Sequence, residues 1–291
     1  VATGENFPDA LAATGLAGIT DAPVVLTAPN ALSTQAKDVI QALEPTTIYI
    51  VGGTSAIAPA VETALKALVV DPNKVIRASG DARAATALDI YAKGKAAGTW
   101  GTTAIIACGW SFADALSISP YAYAEKAPIF LADAQAGLDA NTITTLKTAL
   151  AAGTITKIII VGGTAVVPDL VKTQLGYAAS DNTTFTRQGG ADRYETSALI
   201  ANYIQDTSAL LGFNQVAVAT GQKFPDALAG GAFAGKVGTV LLLVDDSTAG
   251  RSQIATVITA NRDFIGYGHV LGGTSALTPS LKLTLEQASR G

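Results

Sequence analysis

The sequence predicts an α/β protein of three tandem modules, each a mostly parallel sheet flanked by helices. Two observations carry this. Two signatures each occur three times in alternation, and short apolar β-branched runs alternate with stretches of helical periodicity. The first signature reads VATGENFPDALAATGLAG at Val1–Gly18, ACGWSFADAL at Ala107–Leu116 and ATGQKFPDALAGG at Ala219–Gly231. The second reads IVGGTSAIAP at Ile50–Pro59, IVGGTAVVP at Ile160–Pro168 and VLGGTSALTP at Val270–Pro279. The modules are expected at residues 1–76, 77–186 and 187–291, the first of them incomplete at its N-terminal side.

Within a module the first strand ends at Val1–Thr3 and, in the third copy, spans Gln215–Thr220. A glycine turn then leads into Phe-Pro-Asp-Ala-Leu, where proline suits the first helical position and aspartate offsets the positive end of the helix dipole. Asp9, Asp114 and Asp226 are therefore expected as helix-start residues. The helix body is nearly all small side chains, which allows close backbone approach, so this helix is expected at a crowded contact. The continuous apolar runs Ala22–Thr27, Ala127–Ala132 and Thr239–Val244 read as strands buried on both faces. Helical periodicity follows at Ser33–Leu43, Thr142–Leu150 and Ser252–Asn261, then strands at Thr47–Val51, Lys157–Val161 and His269–Leu271 run into Gly-Gly-Thr. Pro59, Pro168 and Pro279 each mark the first position of another helix. Strands at Val75–Arg77 and Thr184–Arg187 close the first two units and lead into a repeated turn, Arg77-x-x-Gly80-x-x-Arg83 and Arg187-x-x-Gly190-x-x-Arg193. A third copy of that turn would fall ahead of Val1, and the chain, which contains no methionine, reads as a processed or cropped piece of something longer.

Composition narrows the function. The 49% hydrophobic content is largely alanine in short runs, too short for the roughly 20 residues that span a bilayer, so no membrane insertion is expected. Net charge is −4, with no basic stripe of the kind nucleic-acid binders carry. There is one histidine and one cysteine. His269 reads as a tolerated strand residue and Cys108 as a small residue standing where sister copies have Thr3 and Thr220. That pair supplies neither a zinc cluster nor a convincing triad, and the three aspartates recur singly, without a second acid for glycosidic chemistry. No cofactor is expected: the glycine turns match neither a Walker loop nor a dinucleotide fingerprint.

The Gly-Gly-Thr turns, at Gly52-Gly53, Gly162-Gly163 and Gly272-Gly273, expose backbone N–H groups at a helix start, with Thr54, Ser55, Thr164, Thr274 and Ser275 as added donors for a phosphate or carboxylate. The competing reading is a tight turn in which strand and helix pack closely. The arginines Arg77, Arg83, Arg187 and Arg193 are the stronger anion candidates, because a guanidinium matches phosphate and carboxylate geometry. Arg83 and Arg193 could equally pair with an aspartate of a neighbouring Phe-Pro-Asp turn and set how modules meet. Tyr194 is a candidate for stacking on a sugar ring, or for packing on its neighbours.

Together, the R-x-x-G-x-x-R turn in two copies and the TGxxFPDAL and IVGGTxA turns in three resemble the cell wall binding repeat 2 family of Gram-positive surface proteins, over nearly the whole chain. The resemblance implies a non-catalytic anchor. Its three modules would pack about a pseudo-threefold axis and hold a secreted protein at the cell wall on an anionic, teichoic-acid-like secondary polymer. Ala113 in place of proline, Ala84 and Ala85 in place of Tyr-Glu, and the missing first arginine turn depart from the pattern and bear on whether the sites are equivalent. The rival expectation is an adhesive surface protein whose modules contact neighbouring copies of itself.

Overall fold

The computed structural model describes residues 1–290. In chain order, module 1 contains β1 (Ala2–Thr3), α1 (Ala13–Thr20), β2 (Leu26–Thr27), α2 (Thr34–Leu43), β3 (Ile48–Val51), α3 (Pro59–Lys66) and β4 (Val75–Ala78). Next come α4 (Arg83–Ala97), β5 (Thr103–Cys108), α5 (Ala113–Ala124), β6 (Ile129–Ala132), α6 (Ala140–Ala151), β7 (Lys157–Val161), α7 (Leu170–Gln174) and β8 (Phe185–Gln188). The last stretch holds α8 (Arg193–Thr207), β9 (Gly212–Thr220), α9 (Pro225–Val237), β10 (Thr239–Val244), α10 (Thr248–Asn261), β11 (Tyr267–Leu271) and α11 (Pro279–Arg290).

Every strand pairing is parallel, as the strand–helix alternation requires. The middle sheet runs β6-β5-β7-β8 and the last β10-β9-β11. In module 1 the pairs β1-β2 and β3-β4 are joined where Val51 N–H donates to the Val1 carbonyl at 2.9 Å, which gives the same four-strand order. Equivalent side chains cap the second helix of each module: Ser33 accepts from Ala36 N–H, Asp139 from Asn141 and Thr142, and Ser247 from Gly250. The Ser247 cap is why α10 starts at Thr248, ahead of the expected Ser252. Pro168 also departs from expectation: α7 begins only at Leu170, because Asp169 occupies the helical N-cap position after it.

The small-residue helices α1, α5 and α9 pack on one another at the centre. Their expected crowding is visible at the glycines. A Cβ on Gly18 would lie 2.0 Å from the Tyr123 carbonyl oxygen, one on Gly15 2.3 Å from that of Ala127, and one on Gly235 2.5 Å from the Tyr123 Cβ. At the head of these helices Phe7, Phe112 and Phe224 close a triangle, with ring centroids 5.5, 5.7 and 6.0 Å apart. One equivalent residue from each module thus meets its two sisters on the pseudo-threefold axis, in edge-on or tilted geometries that suit aromatic pairs.

The helices after the arginine turns carry the chain from one module to the next. α4 leaves sheet β4 and packs against β6, α6 and α1; α8 leaves β8 and packs against β10, α10 and α5. Ser197 on α8 accepts a hydrogen bond from the Leu243 N–H of β10 at 3.2 Å. Each arginine turn therefore lies on a seam between modules.

Gly18→Ala is expected to destabilise the chain by ~1–3 kcal/mol through overpacking against Tyr123. Gly53→Ala, where an added Cβ meets nothing within 4 Å, is expected to change stability by less than about 0.5 kcal/mol. Urea melts of the two variants check the contrast.

Candidate functional site

The three signatures converge at the seams. The aspartate of each Phe-x-Asp turn lies against the first glycine of its own module's Gly-Gly-Thr turn: a Cβ on Gly52, Gly162 or Gly272 would sit 2.9, 2.6 or 2.6 Å from the carboxylate oxygen of Asp9, Asp114 or Asp226. Those glycines also have φ of +111°, +100° and +117°. Glycine is thus demanded twice, by backbone conformation and by space. Asp114 is buried. Burial pushes its carboxyl above the usual range, while the charge of Arg193 and the Thr196 hydroxyl draw it back.

The four arginines divide into two kinds. Arg77 donates from Nη1 to the Gly52 carbonyl at 2.7 Å and from Nε and Nη2 to Glu62 at 3.1 and 2.8 Å. Arg187 donates to the Gly162 carbonyl at 2.7 Å and to Asp169 at 2.9 Å. Both clamp the glycine turn to the helix that follows it. Lys66 and Arg77 together hold the Glu62 carboxyl below its ordinary value. Arg83 and Arg193 reach forward instead, away from the glycine turns: Nη1 of each donates to the carbonyl of the turn that follows the next strand, Gly109 and Gly221 respectively. Neither forms an ion pair within 4 Å among the described residues. Their Cζ atoms stand over aromatic rings, Arg83 3.7 Å from the centroid of Trp110 and Arg193 5.5 Å from that of Phe112. Of the pairing with an aspartate of a neighbouring Phe-Pro-Asp turn that the sequence left open, the structure shows at Asp114 only the nearby charge of Arg193, with no direct ion pair.

The two seams differ in how the helix start is finished. At α8, Asp192 accepts from Tyr194 and Glu195 N–H, and Glu195 accepts in return from Ala191 N–H at 2.6 Å. This is a reciprocal cap. At α4 the matching residues are Ala82 and Ala85, and the N-cap makes no side-chain bond. A cleft of about 540 Å³ opens there, lined by Glu5, Asn6 and Asp9 of the first turn, Gly53 and Ser55 of the glycine turn, and Gly80 to Arg83. It brings together Arg83, Ser55, Asp9 and Gly53 from the expected set.

The remaining nominated residues fall elsewhere. Thr54, Thr164, Thr274 and Ser275 are exposed on the glycine turns of their modules. Tyr194 is buried, with its hydroxyl accepting from Gln222 at 2.9 Å and its ring against Gly221, so its faces are spent in packing. His269 lies on Gln215 at 2.7 Å between the rings of Phe233 and Tyr267, and Cys108 is buried. Among the described residues no three His, Cys, Asp or Glu side chains come together as a metal site, and no helix is long and apolar enough to cross a membrane. Sequence reasoning passed over Trp110, which is 64% exposed beside Arg83. The available signal was an aromatic at a turn position that Glu5 and Gln222 fill in the sister copies.

Three parallel-sheet modules packed about one axis, with arginine and glycine turns at their seams, define a tandem-repeat α/β protein. The sequence profile of Cell wall binding domain 2 (CWB2) matches residues 1–62, 77–172 and 187–282, and the chain belongs to that family. It is 29% identical to N-acetylmuramoyl-L-alanine amidase LytC of Bacillus subtilis over 90% of this chain and 49% of that protein. It is 30% identical to the amidase enhancer of the same organism over 96% of this chain and 35% of that one. The chain therefore spans half or less of these relatives. Cwp8 from Clostridium difficile superposes with a TM-score of 0.79 at 25% identity, covering 99% of this chain and 46% of Cwp8. Cwp6 from the same organism has the same TM-score at 22% identity, covering 94% of this chain and 41% of its own, which speaks for the fold alone.

Glu62 has its carboxyl held below the ordinary 4.5, so it adds stability that is complete above that value and lost as pH falls through the lower folded value. Glu62→Gln is expected to cost roughly 1 kcal/mol at neutral pH. It should also flatten the loss of stability between pH 5 and the acid limit, as read by thermal melts across that range.

Proposed function

We propose that this chain anchors a secreted surface protein to the bacterial cell wall non-covalently and without catalysis, by binding an anionic secondary cell wall polymer at several seams of one rigid body. The carrying observation is the α4 cleft. There a guanidinium with unspent donors stands at an uncapped helix start, beside the Ser55 hydroxyl and the open Gly53 turn. A helix start with free N–H groups favours negative charge, and a guanidinium fork adds paired, charge-assisted hydrogen bonds. The same cleft carries Glu5, Asp9 and Asp81, which suit the hydroxyl or amino donors of sugar units flanking the anionic group. The polymer this cleft fits is therefore a glycan bearing spaced anionic groups, rather than a uniform polyphosphate.

The functional units we propose are residues 1–76, 77–186 and 187–291, the boundaries falling inside β4 and β8, whose ends carry the arginine turns. Weak sites repeated on one body gain affinity through effective concentration, which suits a repetitive ligand. In this reading Arg77 and Arg187 shape the glycine turns, while Arg83 and Arg193 meet the ligand.

Arg83→Glu is expected to lower retention on Gram-positive walls by at least about tenfold, in line with the ~1.5–3 kcal/mol of a hydrogen bond to a charged group, with melting behaviour preserved. Arg83→Lys should fall between, since it keeps the charge and loses the fork. Co-sedimentation before and after acid extraction of the anionic polymers is the readout. Unchanged retention of a folded Arg83→Glu chain would overturn the assignment.

A further inference from the structure

The turns that follow β1, β5 and β9 share one backbone arrangement and carry three different side chains. Glu5 N–H donates to the Thr3 hydroxyl at 3.2 Å, Trp110 N–H to the Cys108 sulfur at 3.4 Å and Gln222 N–H to the Thr220 hydroxyl at 3.2 Å. The residue at this position therefore leaves the backbone from equivalent places. At the start of α8 that place is finished from within: Gln222 donates to the Tyr194 hydroxyl at 2.9 Å and to the Asp245 carboxylate. At the start of α4, Ala84 stands for Tyr194 and Trp110 for Gln222. The aromatic ring has moved from the helix, where it is buried, to the turn, where it is exposed.

Trp110 is nevertheless held in place. The Arg83 Cζ lies over one of its faces, and Arg83 is itself tied to the Gly109 carbonyl. A Cβ on Gly109 would come within 2.8 Å of the Arg83 Cδ, so glycine is what admits the arginine stem beneath the ring. Asp133 occupies the place of Asp245 at the end of the neighbouring strand. The backbone N–H groups of Ala136 and Gln135 hold its carboxyl below the ordinary range, and the Trp110 side chain adds to them. With Arg83 on one face, Asp133 at the indole edge and 64% of the residue exposed, the opposite face of the ring is open to water.

On the basis of the anchor function proposed above, we infer that Trp110 is a stacking platform for a neutral pyranose ring, the neighbour in the polymer of the unit whose anionic group meets Arg83. A flat apolar ring in water is stabilised by covering the C–H face of a sugar, whose rim hydroxyls keep hydrogen bonds to water or to the Asp133 carboxylate. The charge beneath the ring selects the occupant. Arg83 already lies on the indole and repels a second cation from its other face, which disfavours amine and quaternary ammonium ligands. Stacking belongs to the α4 seam, because Glu5 and Gln222 bring no ring to the equivalent places. The ligand is thus narrower than an anionic glycan at large: it carries a pyranose with one unobstructed C–H face beside the anionic unit.

The test uses the whole chain, with acid-extracted anionic polymer from Gram-positive walls as the probe. The chain has two tryptophans, and Trp100 is packed against Tyr91 and Gly94, so polymer-dependent emission reports Trp110 and a Trp110→Gln chain supplies the blank. The expected result is a blue shift and reduced acrylamide quenching as polymer is added. Polymer affinity should weaken about fivefold or more in Trp110→Gln, as expected for loss of an aromatic anchor, and return in large part in Trp110→Tyr. Should Trp110→Gln fail to fold, the emission of the unaltered chain decides. Affinity lost in Arg83→Glu but unchanged in Trp110→Gln, or binding that saturates with no change in Trp110 emission or quenching, would overturn the stacking and leave the anchor standing. A chain that takes up no polymer would overturn the anchor reading and the stacking with it.

Discussion

The close approach of α1, α5 and α9 is the constraint on which the rest of the structure depends. With Gly18 backbone against the Tyr123 carbonyl and Gly235 against the Tyr123 side chain, the helix axes come nearer than larger residues permit. Only at that separation do Phe7, Phe112 and Phe224 meet on one axis. Because α5 and α9 begin in their Phe-x-Asp turns and α1 follows its own through a single 3-10 turn at Ala10–Ala12, the same approach places the three turns at one end of the molecule. The seams, and whatever they bind, inherit their geometry from this packing of small side chains, since interiors are close-packed and transmit such constraints.

A second layer of organisation comes from arginines spent on structure. Arg77 and Arg187 cross the top of two adjacent strands to hold the carbonyl of a glycine whose φ no other residue adopts without strain. Holding that carbonyl turns the glycine's neighbours outward and fixes where the aspartate of the first turn can lie. Removing such an arginine would leave a paired carboxylate and a carbonyl without their donor, so its effect on binding would be indirect. Arg83 and Arg193 make a single carbonyl bond each and lie over aromatic rings, a geometry that leaves their other donors unspent.

Repetition did not produce identical sites. Replacing Asp192, Tyr194 and Glu195 by Ala82, Ala84 and Ala85 removes both halves of a reciprocal helix cap and a buried aromatic, and the seam opens into a cleft. Trp110 then stands over Arg83 where the sister turns carry Glu5 and Gln222. A protein that meets a repetitive polymer gains by keeping one frame and varying its seams, because the frame sets spacing while each seam sets chemistry.

Much of the fold was legible in the sequence by itself. The three modules, the buried parallel strands and the identity of the turns all follow from local rules: period, β-branched runs, capping residues and glycines that need positive φ. The crowded helices could be foreseen too, since a run of alanine and glycine has few other uses. What only the tertiary structure decided is which turns face one another. Arg77 and Arg83 lie in the same motif and both were candidate anion ligands, yet one is spent on Glu62 and the other reaches the carbonyl of Gly109, in the turn that follows β5. Tyr194 was a candidate for stacking and is instead buried against Gly221. Local sequence specifies side-chain chemistry and backbone conformation, but a partner brought in from a distant part of the chain depends on how closed modules pack, and that information is spread over the whole core.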